Sequence, residues 1–208
     1  MSDTVAGTRD DSPQTRSSGS RVMWTILAIM AGVMMAGTWL QSAGWFSRDG
    51  RETAAKGASL AYLELDPLVG AERVVLKEDT AGQVTLLHYW GTWCPPCRQE
   101  FPGLVELYDK YRDVDGFLML AVSSPGSSDT SNEQLARETA EFLDAHNTDM
   151  PMYADTTQLT LEALDGAIGF EGFPTTVIFD RQGTVQGVWV GYSPTGVEEM
   201  GALIEELL

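Results

Sequence analysis

The sequence predicts an α/β domain, a central mixed sheet flanked by helices, carried behind an N-terminal transmembrane helix. Three observations lead there. Val84–Trp90 is a mostly apolar run of the kind that forms a strand buried on both faces, and a helical segment separates it from a second such run at 117–122. That strand-helix-strand order implies a right-handed parallel crossover. Two β-branched runs at 175–180 and 184–190 enclose Arg181-Gln182-Gly183, a three-residue hairpin turn that adds antiparallel strands. Finally, no charged residue occurs in the 26 positions between Arg21 and Arg48.

Residues 1–21 are rich in Ser, Thr, Asp and Gly, with three Arg against three Asp, and are expected to form a disordered tail. Residues 22–46 form the expected anchor. As a helix, positions 22–40 alone extend about 28 Å, close to the hydrocarbon thickness of a bilayer. Trp39, Trp45 and Phe46 suit an interfacial aromatic belt. The apolar core of a cleaved signal peptide is shorter, about 7 to 15 residues, so a retained single-pass anchor is favoured over cleavage near Gln41-Ser42-Ala43. Arg9, Arg16 and Arg21 before the span are matched by Arg48, Arg51 and Lys56 after it, so flanking charge does not set its orientation. Residues 47–59 read as a polar tether to a folded domain over 60–208.

Within that domain, short strands are expected at 60–65 and 73–76, turning around Asp66-Pro67 and Gly70. The helix after Trp90 should start near Cys94, with Pro95 and Pro96 in its first turn and Leu104, Leu107, Tyr108 and Tyr111 on one face. Pro102 should kink it. Ser131 caps a helix reaching Ala145, residues 152–154 form a short strand, and a helix from Leu159 should end at Gly166. Pro194 opens a closing helix with Val197, Met200, Leu203, Ile204 and Leu207 at helical spacing.

From Thr53 onward 25 acids face 8 bases, so the soluble domain carries the whole net charge of −17. This opposes binding to nucleic acid and to anionic lipid. The reactive candidates are Cys94 and Cys97, the only two cysteines. Two intervening residues at a helix N-terminus let the sulfurs bond to one another, and the helix dipole stabilises a thiolate there. Cys94, at the rim, should attack a disulfide, and Cys97, one turn further in, should resolve the mixed disulfide. The other reading of such a pair is half of a zinc site. It would need two more ligands from carboxylates, His88 or His146, whereas structural zinc sites favour four Cys or His ligands at short paired spacings. Met150-Pro151-Met152 is better explained by core packing than by copper ligation.

The segment Trp90-Gly91-Thr92-Trp93-Cys94-Pro95-Pro96-Cys97-Arg98-Gln99-Glu100-Phe101-Pro102, with Gly172-Phe173-Pro174-Thr175-Thr176, resembles the thioredoxin-like proteins, in particular the membrane-anchored TlpA, ResA and DsbE group. The resemblance covers residues 60–208 and implies a thioredoxin-like fold. It implies an exported thiol-disulfide oxidoreductase on the periplasmic side of the cytoplasmic membrane. The expected activity is reduction of client disulfides, with apocytochrome c or a copper-site protein as client and a transmembrane thiol carrier as electron donor. No cofactor or metal is expected beyond the Cys94–Cys97 disulfide. It also implies a cis Pro174 against the disulfide, with Phe173 and Thr175 contacting substrate, and Trp93, Pro95 and Pro96 shaping the active-site turn. His88 lies where thioredoxin has a buried aspartate, and it could accept the Cys97 proton near neutral pH. Glu100 matches an active-site glutamate of the ResA branch. Rival functions are a disulfide oxidase or isomerase, and a copper- or zinc-holding module in metalloprotein assembly using Cys94, Cys97 and His88.

Overall fold

The computed structural model describes residues 56–208. The expected tail and anchor, and most of the tether, lie outside the described residues. Among the described residues no helix is long and apolar enough to cross a membrane.

The strands are β1 Glu64–Val69, β2 Val75–Leu76, β3 Val84–Trp90, β4 Phe117–Ser123, β5 Met152–Ala154, β6 Thr175–Phe179 and β7 Val185–Val190. The α-helices are α1 Pro95–Tyr111, α2 Asn132–Ala145, α3 Leu159–Ile168 and α4 Gly196–Leu207, and a 3-10 turn covers Lys77–Thr80. The sheet order is β2-β1-β5-β4-β3-β6-β7. β4 runs parallel to β3 and to β5, and every other pairing is antiparallel. This is the expected mixed sheet, with β3 near its middle.

All seven residues of β3 are buried, as its apolar run requires. Alternation along the strand divides the core into two layers. Val84, Leu86 and Trp90 pack with Phe101 and Leu104 of α1, Leu143 of α2 and Met200 and Ile204 of α4. Leu87 and Tyr89 face the other layer, with Leu164 of α3 and Leu60 and Leu63 ahead of β1. His88 has the parity of Leu86 and Trp90, so the pleat sends it to the α1 face.

The first strands differ from expectation. β1 begins at Glu64 and runs through Asp66 and Pro67, and the turn lies further on at Gly70, whose φ is +69°. Proline lacks an N–H and usually signals a turn, but here it sits beside a register irregularity between β1 and β5, where a missing donor is tolerated. α3 passes through Gly166 and ends at Gly169, whose φ of +71° supplies the left-handed cap and whose N–H donates to the Asp165 carbonyl. α1 continues through Pro102 to Tyr111. α4 starts at Gly196, two residues after Pro194. Residues 57–59, the end of the expected tether, pair with the start of β7: Gly57 N–H donates to the Val185 carbonyl at 3.0 Å and Val185 N–H to the Ala58 carbonyl at 2.8 Å.

Candidate active site

β3 delivers the chain to the reactive turn. Trp90 ends the strand with its carbonyl accepting from Ser124 N–H at 2.8 Å, and Cys94 N–H closes the turn onto the Gly91 carbonyl at 3.1 Å. Cys94 is the N-cap of α1, with Pro95 and Pro96 in the first two helical positions, where their missing N–H groups leave no helical bond unmade. Cys97 is the first residue after the cap with an N–H, and it donates to Cys94 Sγ at 3.3 Å. The two cysteines are joined, with Cα atoms 5.3 Å apart. Both are buried, 3% exposed for Cys94 and 1% for Cys97, so exposure does not set the expected rim sulfur apart from its partner. What separates them is position: Cys94 lies ahead of the helix at its positive end and Cys97 lies inside it.

Trp93 is 47% exposed and held edge-on beside the disulfide turn. Its Nε1–H donates to the Ser124 carbonyl at 2.9 Å, and its ring meets Phe173 at 5.4 Å between centroids, nearly perpendicular. Two glycines make room for it. A Cβ on Gly91 would lie 2.4 Å from Trp93 Nε1, and one on Gly126 would lie 2.9 Å from the ring. Phe173 in turn packs on Phe170 at 5.2 Å, forming a short aromatic file along this side of the site.

The Phe173–Pro174 bond is cis, as the resemblance implied. The Pro174 carbonyl accepts from Gly191 N–H, which ties the loop to the end of β7. Among the described residues no hydrogen bond uses the Phe173 main chain, so its N–H and carbonyl are free to pair with an extended polypeptide. Thr175 is buried and its hydroxyl donates back to the Gly172 carbonyl at 2.6 Å, leaving its side chain nothing to offer a ligand.

Behind the disulfide lie two buried titratable groups. Glu100 is one helical turn beyond Cys97 and only 2% exposed, so it is not a solvated helix residue. His88 is 1% exposed. Its Nδ1 is 2.8 Å from Thr176 Oγ1 and 3.9 Å from Glu100 Oε2, while His88 Nε2 and Glu100 Oε2 have no hydrogen-bond partner. Burial disfavours the charged form of each. It lowers His88 from 6.5 to about 3, and raises Glu100 from 4.5 to about 7. A proton taken from Cys97 near neutrality would therefore not stay on His88, and Glu100 is the group that titrates in that range. A cleft between α1 and α4 has Glu100, Gly103, Val197 and Gly201 in its walls.

The site thus brings together Cys94, Cys97, Trp93, Pro174, Phe173, His88 and Glu100. Sequence reasoning gave no role to Thr176, Gly91, Gly126 or the Ser124 carbonyl. Only the pairing of β3 with β6, which puts His88 opposite Thr176, reveals the first of these. Among the described residues no group of three or more His, Cys, Asp or Glu side chains is arranged to hold a metal ion.

The chain matches the AhpC/TSA family over residues 59–188. It is similar to the thiol-disulfide oxidoreductase ResA of Halalkalibacterium halodurans, 28% identical over 183 residues that cover 88% of this chain and 94% of that protein. It is 31% identical to the thioredoxin-like protein YneN of Bacillus subtilis over 114 residues, 55% of this chain, and spans 60% of YneN. Among solved structures, a putative thiol:disulfide interchange protein DsbE from Chlorobium tepidum superposes with a TM-score of 0.58 at 27% identity, covering 73% of this chain and 96% of that one.

Proposed function

The chain belongs to the AhpC/TSA family and has its thioredoxin-like fold, and from that premise we propose that it is a membrane-tethered reductant of protein disulfides outside the cytoplasm. It is a thiol-disulfide oxidoreductase of the ResA and DsbE type. The reaction needs no group beyond the two sulfurs. In the reduced protein, Cys94 thiolate attacks one sulfur of a client disulfide; the other client sulfur leaves as a thiolate and takes up a proton. Cys97 then loses its proton and attacks Cys94 Sγ, the Cys94–client bond breaks, and the second client thiol departs. Two electrons have passed to the client and the Cys94–Cys97 bond has formed.

The observation that carries the direction of electron flow is the pair of prolines. With Pro95 and Pro96 lacking N–H groups, one main-chain donor, that of Cys97, reaches Cys94 Sγ. A strong oxidant needs an unusually stable reduced form, and a thiolate with few donors does not provide one. The client class is an extended segment carrying neighbouring cysteines, paired with the free Phe173 main chain, and the Cys-x-x-Cys-His segment of an apocytochrome c has that form. The uncharged stretch at 22–46 would hold the domain at the cytoplasmic membrane on its periplasmic side, with a transmembrane thiol carrier as electron source.

The test is single-turnover reduction of an oxidised Cys-x-x-Cys-His peptide by the reduced protein. Rapid reduction with stoichiometric formation of the Cys94–Cys97 bond supports the assignment. Faster transfer in reverse, from oxidised protein to reduced peptide, would make it an oxidase. Alkaline phosphatase fused after Leu208 checks the compartment: a stably expressed but inactive fusion would place the domain in the cytoplasm.

A further inference from the structure

The disulfide chemistry leaves His88 unused. Titration removes it as a proton store near neutrality, yet it is a polar ring placed in a fully buried strand of the sheet with one nitrogen unpartnered. Such a group costs stability unless its remaining polar atom does something. Its surroundings are sparse. β4 opposes it with Ala121 and β6 with Thr176, while α1 contributes Glu100. Among the described residues the buried acidic and basic side chains are His88 and Glu100 alone. No other charged side chain therefore competes for either group inside the core.

The tautomer of a neutral His88 follows from the contacts. A hydrogen on Nε2 would be a buried donor with no acceptor, whereas a hydrogen on Nδ1 has Thr176 Oγ1 at 2.8 Å and Glu100 Oε2 at 3.9 Å. Orphaned buried N–H groups are rarer than unfilled acceptors, so the hydrogen belongs on Nδ1. It then lies between the Thr176 hydroxyl and the carboxyl of Glu100. We propose that His88, oriented by Thr176, is a positioning residue whose Nδ1–H turns to Glu100 Oε2 while Glu100 is the carboxylate that is to accept the proton of Cys97.

This rests on the reading of Cys97 as the resolving thiol. In the oxidised protein 3.9 Å is too long for a hydrogen bond, and a small rotation of the ring or the carboxyl closes it. The proton leaves Cys97 for Glu100, and Cys97 thiolate attacks Cys94 Sγ. The client thiolate is then expelled and is protonated from solvent, to which Glu100 later returns its own proton. A donor to the charged form lowers the pH at which Glu100 becomes a base. Resolution is therefore the step that His88 controls, and attack by Cys94 on the client is not.

The experiment measures formation and release of the mixed disulfide separately, by stopped flow and quench, as a function of pH. His88→Leu is expected to move the midpoint of the release profile upward by about one pH unit, an approximately tenfold slower release below the midpoint, with formation changed less than about twofold. Asn places its amide nitrogen where Nδ1 lies, whereas Gln reaches the position of Nε2, so His88→Asn should restore the midpoint and His88→Gln should not. Thr176→Val should move it in the same direction as His88→Leu. An unchanged midpoint in folded His88→Leu, or equal behaviour of the Asn and Gln variants, overturns the proposal. If His88→Leu does not fold, the Asn, Gln and Thr176→Val profiles decide alone. Failure of the wild-type protein to form a mixed disulfide at all would instead strike the exchange reaction itself.

Discussion

Removing one member of the buried pair at a time should expose two pH dependences of opposite sign that cancel in the wild-type protein. Glu100 titrates at about 7 in the folded protein, against 4.5 when solvated. Between those values the native state keeps a proton that the unfolded chain has released. The stability this gives is fully present below 4.5 and is lost as pH rises to about 7, at about 1.4 kcal/mol per pH unit. His88 behaves in the opposite sense, because its folded value of about 3 lies below the solvated 6.5. There the unfolded chain binds the proton that the native state refuses, so stability is present above 6.5 and is lost as pH falls towards about 3. The windows overlap from 4.5 to 6.5, where the two slopes offset one another.

The variants separate them. Relative to the double variant His88→Asn with Glu100→Gln, which removes both titrations, Glu100→Gln should gain on the order of 3 kcal/mol from pH 4.5 to 6.5, and His88→Asn should lose about as much. The wild-type difference should stay near zero. Urea unfolding of the four oxidised proteins at five or so pH values measures this, with isotope-edited infrared of the Glu100 carboxyl as an independent check on its protonation. Flat single variants would mean that water reaches both groups and that burial does not control them. Single variants both far less stable than the double would mean that the groups are held as an ion pair, in which case neither is neutral at pH 5.5.

Other outcomes follow from the same geometry. Cys94→Ser should abolish exchange, and Cys97→Ala should accumulate mixed disulfides visible on non-reducing gels, since the resolving thiol is gone; a Cys97→Ala protein without adducts reverses the roles. Equilibration with dithiothreitol or glutathione should give a potential nearer to about −270 mV than to about −120 mV, and a value above about −160 mV would favour the oxidase reading. Pro96→Ala restores an N–H in the first turn and should raise the potential by about 20 mV, as one modest hydrogen bond to the thiolate would. Gly126→Ala puts a methyl 2.9 Å from the Trp93 ring and should cost about 1 to 3 kcal/mol while raising KM for a peptide disulfide more than it lowers kcat. Unchanged Trp93 fluorescence in that variant would mean that the indole is not held there.

Where burial is uniform, the sequence was a good guide. Val84–Trp90 is bounded as its apolar run suggested because every residue is enclosed, and Ser131 caps α2 with its hydroxyl accepting from Gln134 N–H. Pro67 and Gly166 misled because their usual meanings are local. A proline ends pairing only if its missing N–H was needed, and Gly166 does not end α3 because the left-handed cap is supplied three residues later by Gly169. Cys94 and Cys97 were legible because helix-start chemistry leaves a mark along a few consecutive residues, whereas the cis Pro174 was implied by the resemblance. Thr176, Gly91 and Gly126 act across the sheet or against one indole ring, and no spacing along the chain records those meetings.

His88 shows why a residue type in a strand does not by itself declare a role. The pattern of a histidine ahead of two cysteines suggested a base, and burial made that base useless near neutrality while making a carboxylate 3.9 Å away useful. Both effects have one cause, the burial of the two side chains in the core. A proton acceptor for Cys97 has to be neutral before it acts or carry a charge that something solvates. Glu100 carries the charge, and His88 Nδ1 lies 3.9 Å from its Oε2. The same burial that stops the imidazole from titrating therefore keeps it a neutral N–H donor, and such a donor can favour Glu100 carboxylate at any pH at which the protein is folded.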